Sequence, residues 1–359
     1  MPIEGIWRQP LYGERMVSPV RDNAWLEWME RLMGEPGGEA IPCLPASRFQ
    51  CLVDDLPEHL APQPFLRTQL HAAGRRLVLN PRCRITAAAK LPHDSSGIGY
   101  LPEQFALPAH LAWVHDSELE MRRPFWLSRE LYHRLAEARP GEVPSGLSEK
   151  IRYALALAEI LVPEGYEASC RGKWSAIRER CAAQFRRKGY APLAGLIHPL
   201  HIAALRRYYR YLIRTGRVWL GDKQSDRRYV EHNDGVARFF HRQITAAFSE
   251  IAGEGLKPSY VYLASYQGGA QLHKHTDREQ CDFSITLCVD YSPEPARATP
   301  WPIHLETPSG RTSVFQALGD ALLYRGCQLP HYRDPLPGGH TSTSIFFHYV
   351  KVDFAGALD

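Results

Sequence analysis

Apolar residues in the last third of the chain come in short runs separated by turn residues, a rhythm suited to strands. The runs Phe283 to Val289, Ile303 to Glu306, Ser313 to Gln316, Ala321 to Tyr324 and Ser344 to Val350 are divided by Pro293, Pro295, Ser309-Gly310 and Gly319-Asp320. Strands of this length and spacing predict a compact all-β sandwich or barrel. Tyr260 to Leu272 leads in as a further strand, broken by Gly268-Gly269. Upstream the period becomes helical. His201 to Thr215 puts Leu205, Tyr208, Tyr209, Leu212 and Ile213 on one face, with Arg206, Arg207, Arg210 and Arg214 expected on a solvated face and Gly216 ending the helix. A second helix, about Asp234 to Gly253, carries Val236, Phe239, Phe240, Ile244 and Phe248.

The first half is more mixed. Asp22 is placed to cap a helix with Trp25, Trp28, Met29 and Leu32 at helical spacing, ended by Gly34 and Pro36. Leu77 to Leu79 reads as a short strand, and Leu91 to Tyr100 as a turn-rich loop. From Leu111 to Val162 the order is strand, strand, helix, helix. Leu111 to Val114 and Arg123 to Leu127 form a hairpin, Ser128 caps a helix bearing Leu131 and Leu135, and Ile151, Leu155 and Ala158 make the stripe of the next. Glu164 to Lys188 is helical and highly charged, and a domain boundary is expected there. The expectation is an α+β chain of two domains, a mixed and mainly helical domain over residues 1–185 and a β domain with two supporting helices over 190–359.

With 359 residues and 44% hydrophobic content, the chain can bury a sizeable core. No apolar stretch reaches the length of a membrane span, and the N-terminus lacks the basic start and apolar centre of a signal peptide, so a cytoplasmic protein is expected. The eight cysteines form no C-x-x-C pair, which argues against a zinc knuckle or a disulfide framework; Cys281, Cys288 and Cys327 are expected as small apolar filling. A net charge of +4 is too modest to call for nucleic acid.

The chemistry concentrates in Gln271-Leu-His273-Lys-His275-Thr-Asp277. Alternate residues of a strand share a face, so His275 and Asp277 can hold one metal ion. His331, beyond the strand Ala321 to Tyr324, is the third candidate ligand. Two imidazoles and a carboxylate form a facial set that leaves positions open on Fe(II) for a cosubstrate and dioxygen. His273 has the same alternation as His275 and is expected inward too, at the edge of the site.

The stretch from about Tyr260 to Val350 resembles the jelly-roll (double-stranded β-helix) domain of Fe(II)/2-oxoglutarate-dependent oxygenases, nearest to the prolyl-hydroxylase-like branch. The matching pieces are Tyr266-Gln-Gly-Gly before His275-Thr-Asp277, Gly319-Asp320-Ala-Leu-Leu before His331, and Pro335-Leu-Pro-Gly-Gly339 before a β-rich run. The resemblance implies iron on His275, Asp277 and His331, with 2-oxoglutarate chelating it near Tyr266 and dioxygen as the second cosubstrate. It also implies hydroxylation of an unactivated C–H bond in a small molecule or peptide, an amino-acid side chain being the first expectation. One position departs from the family: the Arg or Lys usual roughly ten residues past the distal histidine is replaced by His340-Thr341-Ser342-Thr343. Either His340 with Thr341 and Thr343 anchors the far carboxylate, or Arg325, Arg333, Arg311 or Lys274 does so from elsewhere. The segment 111–162 looks like the small winged-helix peptide-recognition element of enzymes that modify ribosomal peptides, and an ordinary packing module is the alternative. Two other classes remain. His-x-His-x-Asp resembles the motif of zinc hydrolases of the metallo-β-lactamase kind, although Arg278 stands where they carry another histidine. A binding module with a degenerate metal pocket is the third.

Overall fold

The computed structural model describes residues 48–53, 76–93, 99–116, 119–166 and 173–358. The helix expected after Asp22 lies outside the described residues, as do Cys43 and Cys170. The first elements are strands β1 (Leu77–Leu79), β2 (Cys83–Thr86), β3 (His110–Asp116) and β4 (Met121–Leu127), helices α1 (Arg129–Ala136) and α2 (Glu149–Leu157), and strand β5 (Leu161–Pro163). Then come α3 (Lys173–Lys188), β6 (Tyr190–Leu193), α4 (Pro199–Arg214), β7 (Trp219–Leu220), β8 (Arg228–His232) and α5 (Gly235–Ala252). Strands β9 (Leu256–Gln267), β10 (Leu272–His275), β11 (Phe283–Ser292) and β12 (Ile303–Thr307) follow. The last are β13 (Gly310–Val314), β14 (Ala321–Arg325), β15 (His331–Arg333) and β16 (Thr341–Lys351).

Strands β9 to β16 are dealt between two antiparallel sheets, the order of a jelly roll. The small sheet runs β10-β15-β12-β13, and the large one runs β6-β14-β11-β16-β9-β8-β7. Alternation assigns each strand of the large sheet two tasks. Val261, Leu263, Ile285, Leu287, Ile345 and Phe347 join the core beneath the helices, which includes Phe185, Leu205, Phe240 and Phe248. Their neighbours Ala264, Tyr266, Leu322, Tyr324 and Phe346 instead face the small sheet, meeting Ile303, Leu305 and Trp301.

The two long helices fall where their pattern puts them. Asp234 caps α5 by accepting the Ala237 N–H, and Gly253 ends it at φ 71°, a conformation open to glycine at little cost. The same carboxylate accepts from Tyr208 and Tyr209 on α4 at 2.9 and 2.8 Å, tying the helices together. The arginine face of α4 departs from expectation. Arg206 is buried and donates to Asp290 at 2.9 Å and to Glu294, while the half-buried Arg210 also binds Asp290, so these cations clamp α4 to β11. Helical periodicity placed them off the apolar stripe but carried no information about the acidic partners.

The described part of residues 1–185 holds five short strands, two helices of 8 and 9 residues and most of α3, so strands and helices are mixed there. The hairpin β3–β4 and the Ser128 cap of α1 are present. The outer edge of β4 is occupied: Trp126 donates to the Cys51 carbonyl and its own carbonyl accepts from Val53. An edge that would receive a peptide strand is thereby closed by the chain itself along that stretch. Nor does the core stop near residue 185. Phe49 and Phe105 pack with Tyr208, Phe239 and Phe240 of α4 and α5, and one hydrophobic cluster runs from Phe49 to Tyr349.

Candidate metal centre

Strand β10 pairs with β15 through Leu272 opposite Arg333 and His275 opposite His331, four residues on one strand against three on the other. The extra residue is a bulge, and a bulge re-aims the side chains around it. Leu272 and His275 both reach the cleft, whereas His273 is exposed beside Gln271, contrary to its expected inward direction. Asp277 lies just past β10, where its N–H donates to the Gly326 carbonyl. A Cβ at Gly326 would collide with Asp277 Oδ2 and the Cys281 carbonyl, so the close approach that seats the carboxylate requires glycine.

His275 Nε2 lies 3.6 Å and His331 Nε2 3.4 Å from Asp277 Oδ1. Two bonds of about 2.1 Å from a common ion span such separations, so the three groups fit a first-row metal. Each imidazole is held by its far nitrogen: His275 Nδ1 meets the His273 carbonyl at 2.7 Å, and His331 Nδ1 the Leu329 carbonyl at 2.9 Å. A carbonyl only accepts, which puts the proton on Nδ1 and the lone pair of Nε2 towards the ion. Burial opposes charge on Asp277, but His275 and His331, when protonated, donate to it and hold the carboxyl well below its usual range. Its second oxygen accepts from Ser284 at 3.0 Å, and the Ser284 hydroxyl lies 2.9 Å from His348 Nδ1. Burial pulls His348 down to about 4 despite the carboxylate nearby.

The triad stands in a cleft of ≈ 360 Å³ walled by Tyr262, Tyr266, Tyr324 and Phe346, with Asp222 and Arg228 at one side. Arg228 donates to the Tyr266 hydroxyl at 3.0 Å and is ion-paired with Asp222. Of the five residues expected to hold a cosubstrate, Tyr266 is in this cleft. Arg325 is not: it pairs with Glu254 at 3.0 Å and lies over the Phe185 and Phe283 rings, beneath the helices. Thr343 donates to Ser265 at 2.8 Å on that same face, and Thr341 shares its parity on β16. His340 is bound to the Tyr291 hydroxyl at 2.8 Å. Alternation explains the correction for Thr341 and Thr343, because the inward residues of β16 are Ser342, Ser344, Phe346 and His348. Ser284 and His348 were legible as even positions of expected strands. Arg228 and Asp222 sit in a polar stretch with no such signal.

Deeper between the sheets, Arg333 is 4% exposed and lies with its guanidinium over the Trp301 ring at 4.6 Å. It donates to the Trp301 carbonyl at 2.8 Å and to Gln316 Oε1 at 3.3 Å, with no salt bridge to a carboxylate among the described residues and no partner for Nε. The hydroxyls of Thr286 and Ser344, buried on the inward side of β11 and β16, are also without hydrogen bonds. Buried polar atoms are rarely left this way without a ligand or water to meet them.

No family model matches the chain, and no curated protein matches it. Solved structures do resemble it over about half its length. A prolyl-4-hydroxylase of Pseudomonas putida is 15% identical, with 48% of this chain and 98% of that one covered and a TM-score of 0.40. A prolyl hydroxylase of Trichoplax adhaerens, bound to a hypoxia-inducible-factor peptide fragment, is 10% identical over 49% and 90% at 0.42. HygX of Streptomyces hygroscopicus, with nickel, 2-oxoglutarate and hygromycin B bound, is 12% identical over 49% and 88% at 0.39.

Proposed function

We propose that the chain is an Fe(II)- and 2-oxoglutarate-dependent oxygenase that hydroxylates an unactivated C–H bond, with an amino-acid side chain, free or in a peptide, as the substrate class. The observation that carries the reading is the convergence of His275, Asp277 and His331 at one end of a jelly-roll interior. His331 Nε2 and His275 Nε2 lie 3.4 and 3.6 Å from Asp277 Oδ1. When bound, the iron and its 2-oxoacid supply oxidising power: dioxygen is divided between succinate, formed with carbon dioxide from 2-oxoglutarate, and the hydroxyl placed on the substrate carbon.

The residues of the chain bind, orient and exclude water. Both imidazoles would present Nε2 as neutral donors, because their Nδ1 protons are committed to main-chain carbonyls. Asp277 would supply the negative ligand, steadied by the Ser284 hydroxyl on its second oxygen. A facial ligand set would leave positions open on an ion, and Tyr262, Tyr324 and Phe346 line the same cleft. The mixed charge of Asp222 and Arg228 beside that space suits the ammonium and carboxylate of an amino acid or the amides of a peptide. Zinc hydrolysis through His-x-His-x-Asp is disfavoured because His273 points to solvent.

Anaerobic protein given Fe(II) and 2-oxoglutarate should develop the weak visible charge-transfer band of a chelated 2-oxoacid and release succinate on admission of oxygen. Ala at His275, Asp277 or His331 should remove tight iron binding while leaving the melting curve near that of the parent. A His331→Ala protein that keeps one tightly bound iron would sink the assignment.

A further inference from the structure

We propose that Asp277, Cys281 and His348 form a second metal site, one that takes a thiophilic divalent cation of the Zn²⁺ class, beside the triad and sharing its carboxylate. The site stands whether or not iron binds next to it; its effect on iron rests on the reading above.

Among the described residues two groups of three side chains could hold a metal ion, and Asp277 belongs to both. In the second group one ligand atom each of Asp277, Cys281 and His348 lies within 4.8 Å of the other two. A bond of about 2.3 Å to sulfur and one of about 2.1 Å to nitrogen span nearly that separation, so small side-chain rotations seat a common ion. Local structure brings the three together. Cys281 ends the single 3-10 turn Glu279–Cys281 that follows Asp277, its N–H donating to the Arg278 carbonyl at 2.8 Å. His348 on β16 stands opposite Ser284 on β11. The carboxylate has an oxygen for each group: Oδ1 is turned to His275 and His331, while Oδ2 accepts from Ser284, whose hydroxyl touches His348.

The surroundings of Cys281 are those of a ligand rather than of apolar filling. It is 1% exposed yet belongs to no hydrophobic cluster among the described residues, and its sulfur lies 3.0 Å from the Tyr260 hydroxyl. Once the thiol has given up its proton to a metal, that hydroxyl donates to the sulfur, an outer contact that steadies a bound thiolate. Tyr260, Asp277 and His348 line the cleft, which gives an ion its way in. Ligand softness separates the two positions: two imidazoles and a carboxylate suit iron, whereas a thiolate in the set selects zinc. An ion held by Cys281 and His348 draws on the carboxylate charge that iron needs, so filling the second position weakens the first.

The test uses the full metal-free chain titrated with Cd²⁺, which reports a thiolate ligand by an ultraviolet charge-transfer band. The parent should show that band at one equivalent per chain, and so should the His275→Ala, His331→Ala double variant, which lacks the triad. Cys281→Ser should abolish it. His348→Gln should weaken Cd²⁺ binding by at least about 100-fold, the upper end of what an outer partner of a ligand is worth. A parent without the band, a band that vanishes with the triad, or one that survives Cys281→Ser overturns the site. Should these variants not fold, X-ray absorption of the parent with one Zn²⁺ decides: a sulfur neighbour at about 2.3 Å supports the site, and a shell of nitrogen and oxygen alone overturns it. One equivalent of Cd²⁺ should also raise the Kd for Fe(II) by about 10-fold in the parent and not in Cys281→Ser; an unchanged Kd in the parent overturns the shared use of Asp277. A parent that binds Cd²⁺ through Cys281 but takes up no iron defeats the oxygenase reading and leaves the second site standing.

Discussion

Ser284 sits in a strand so hydrophobic that its hydroxyl is easily passed over, yet it touches both Asp277 and His348. A carboxylate that loses one of its outer hydrogen bonds is less well oriented for an ion, and such partners are commonly worth about 10-fold in metal affinity. Ser284→Ala should therefore weaken iron binding by about that factor without unfolding the protein, measured by competition with a chelator and by thermal melting. An unchanged affinity would reduce Ser284 to filling. At this scale, His275, Asp277 and His331 were legible because ligand chemistry restricts the residue types and a strand restricts their spacing. His273 was misread for a local reason: the bulge opposite His331 breaks the alternation on which its direction was inferred. The cosubstrate contacts assigned to His340, Thr341 and Thr343 came from family spacing, and Arg325 was an alternative anchor from another strand. The parity of β16 turns Thr341 and Thr343 away, Arg325 pairs with Glu254, and His340 is bound to the Tyr291 hydroxyl.

Among the elements, α4 and α5 were read nearly to the residue because each carries an apolar stripe and α5 has Asp234 and Gly253 at its ends. What the stripe could not reveal is that both helices bury histidines. His201 on α4 faces the Pro124 carbonyl at 2.8 Å, and His241 on α5 faces the His348 carbonyl at 2.9 Å. Burial pulls each down to about 3 from an ordinary value of 6.5. The unfolded chain gains protons on these groups near pH 6.5 while the folded one stays neutral, so the stability they contribute is full above that pH and drains away as pH falls towards 3. By pH 5 the loss is about 2 kcal/mol for each. Denaturant melts of the parent and of His241→Gln should converge as the pH is lowered from 7 to 5; parallel curves would refute the buried neutral form. Short strands such as β6, β7 and β8 escaped the sequence reading because two to five residues carry too little pattern to separate a strand from a loop.

For the molecule as a whole, an all-β sandwich or barrel was legible from turn spacing and its jelly-roll order only through the family resemblance, whereas one hydrophobic cluster runs across residue 185. Phe49, Phe105 and Trp126 form an aromatic cluster that extends to Tyr208, Phe239 and Phe240 on the helices bracing the large sheet. Large aromatic side chains dominate the energetics of such contacts. A fragment spanning 190–358 should therefore expose an apolar surface and aggregate or melt well below the full chain, as size-exclusion chromatography and circular dichroism would report. A monomeric fragment with the parent melting temperature would show that the N-terminal region is dispensable for folding. The order of strands and helices in 111–162 was read correctly in outline. Its inferred use was not supported, because the edge of β4 pairs with residues 51–53, a contact far away in sequence that no local pattern announces.

The two-sided large sheet has a practical consequence for anyone wishing to change what the cleft accepts. Along β16, Ile345, Phe347 and Tyr349 belong to the helix-side core, while Ser342, Ser344 and Phe346 belong to the interior of the roll. The alphabet of the strand is thus written in two interleaved hands. A combinatorial library randomised at the inward positions alone would explore new selectivities against a constant background of foldability. One randomised at their immediate neighbours would mostly return insoluble clones. An insertion or deletion of a single residue in β16 would exchange the two sets at once, so length variants in that strand should be barren even where substitutions are well tolerated.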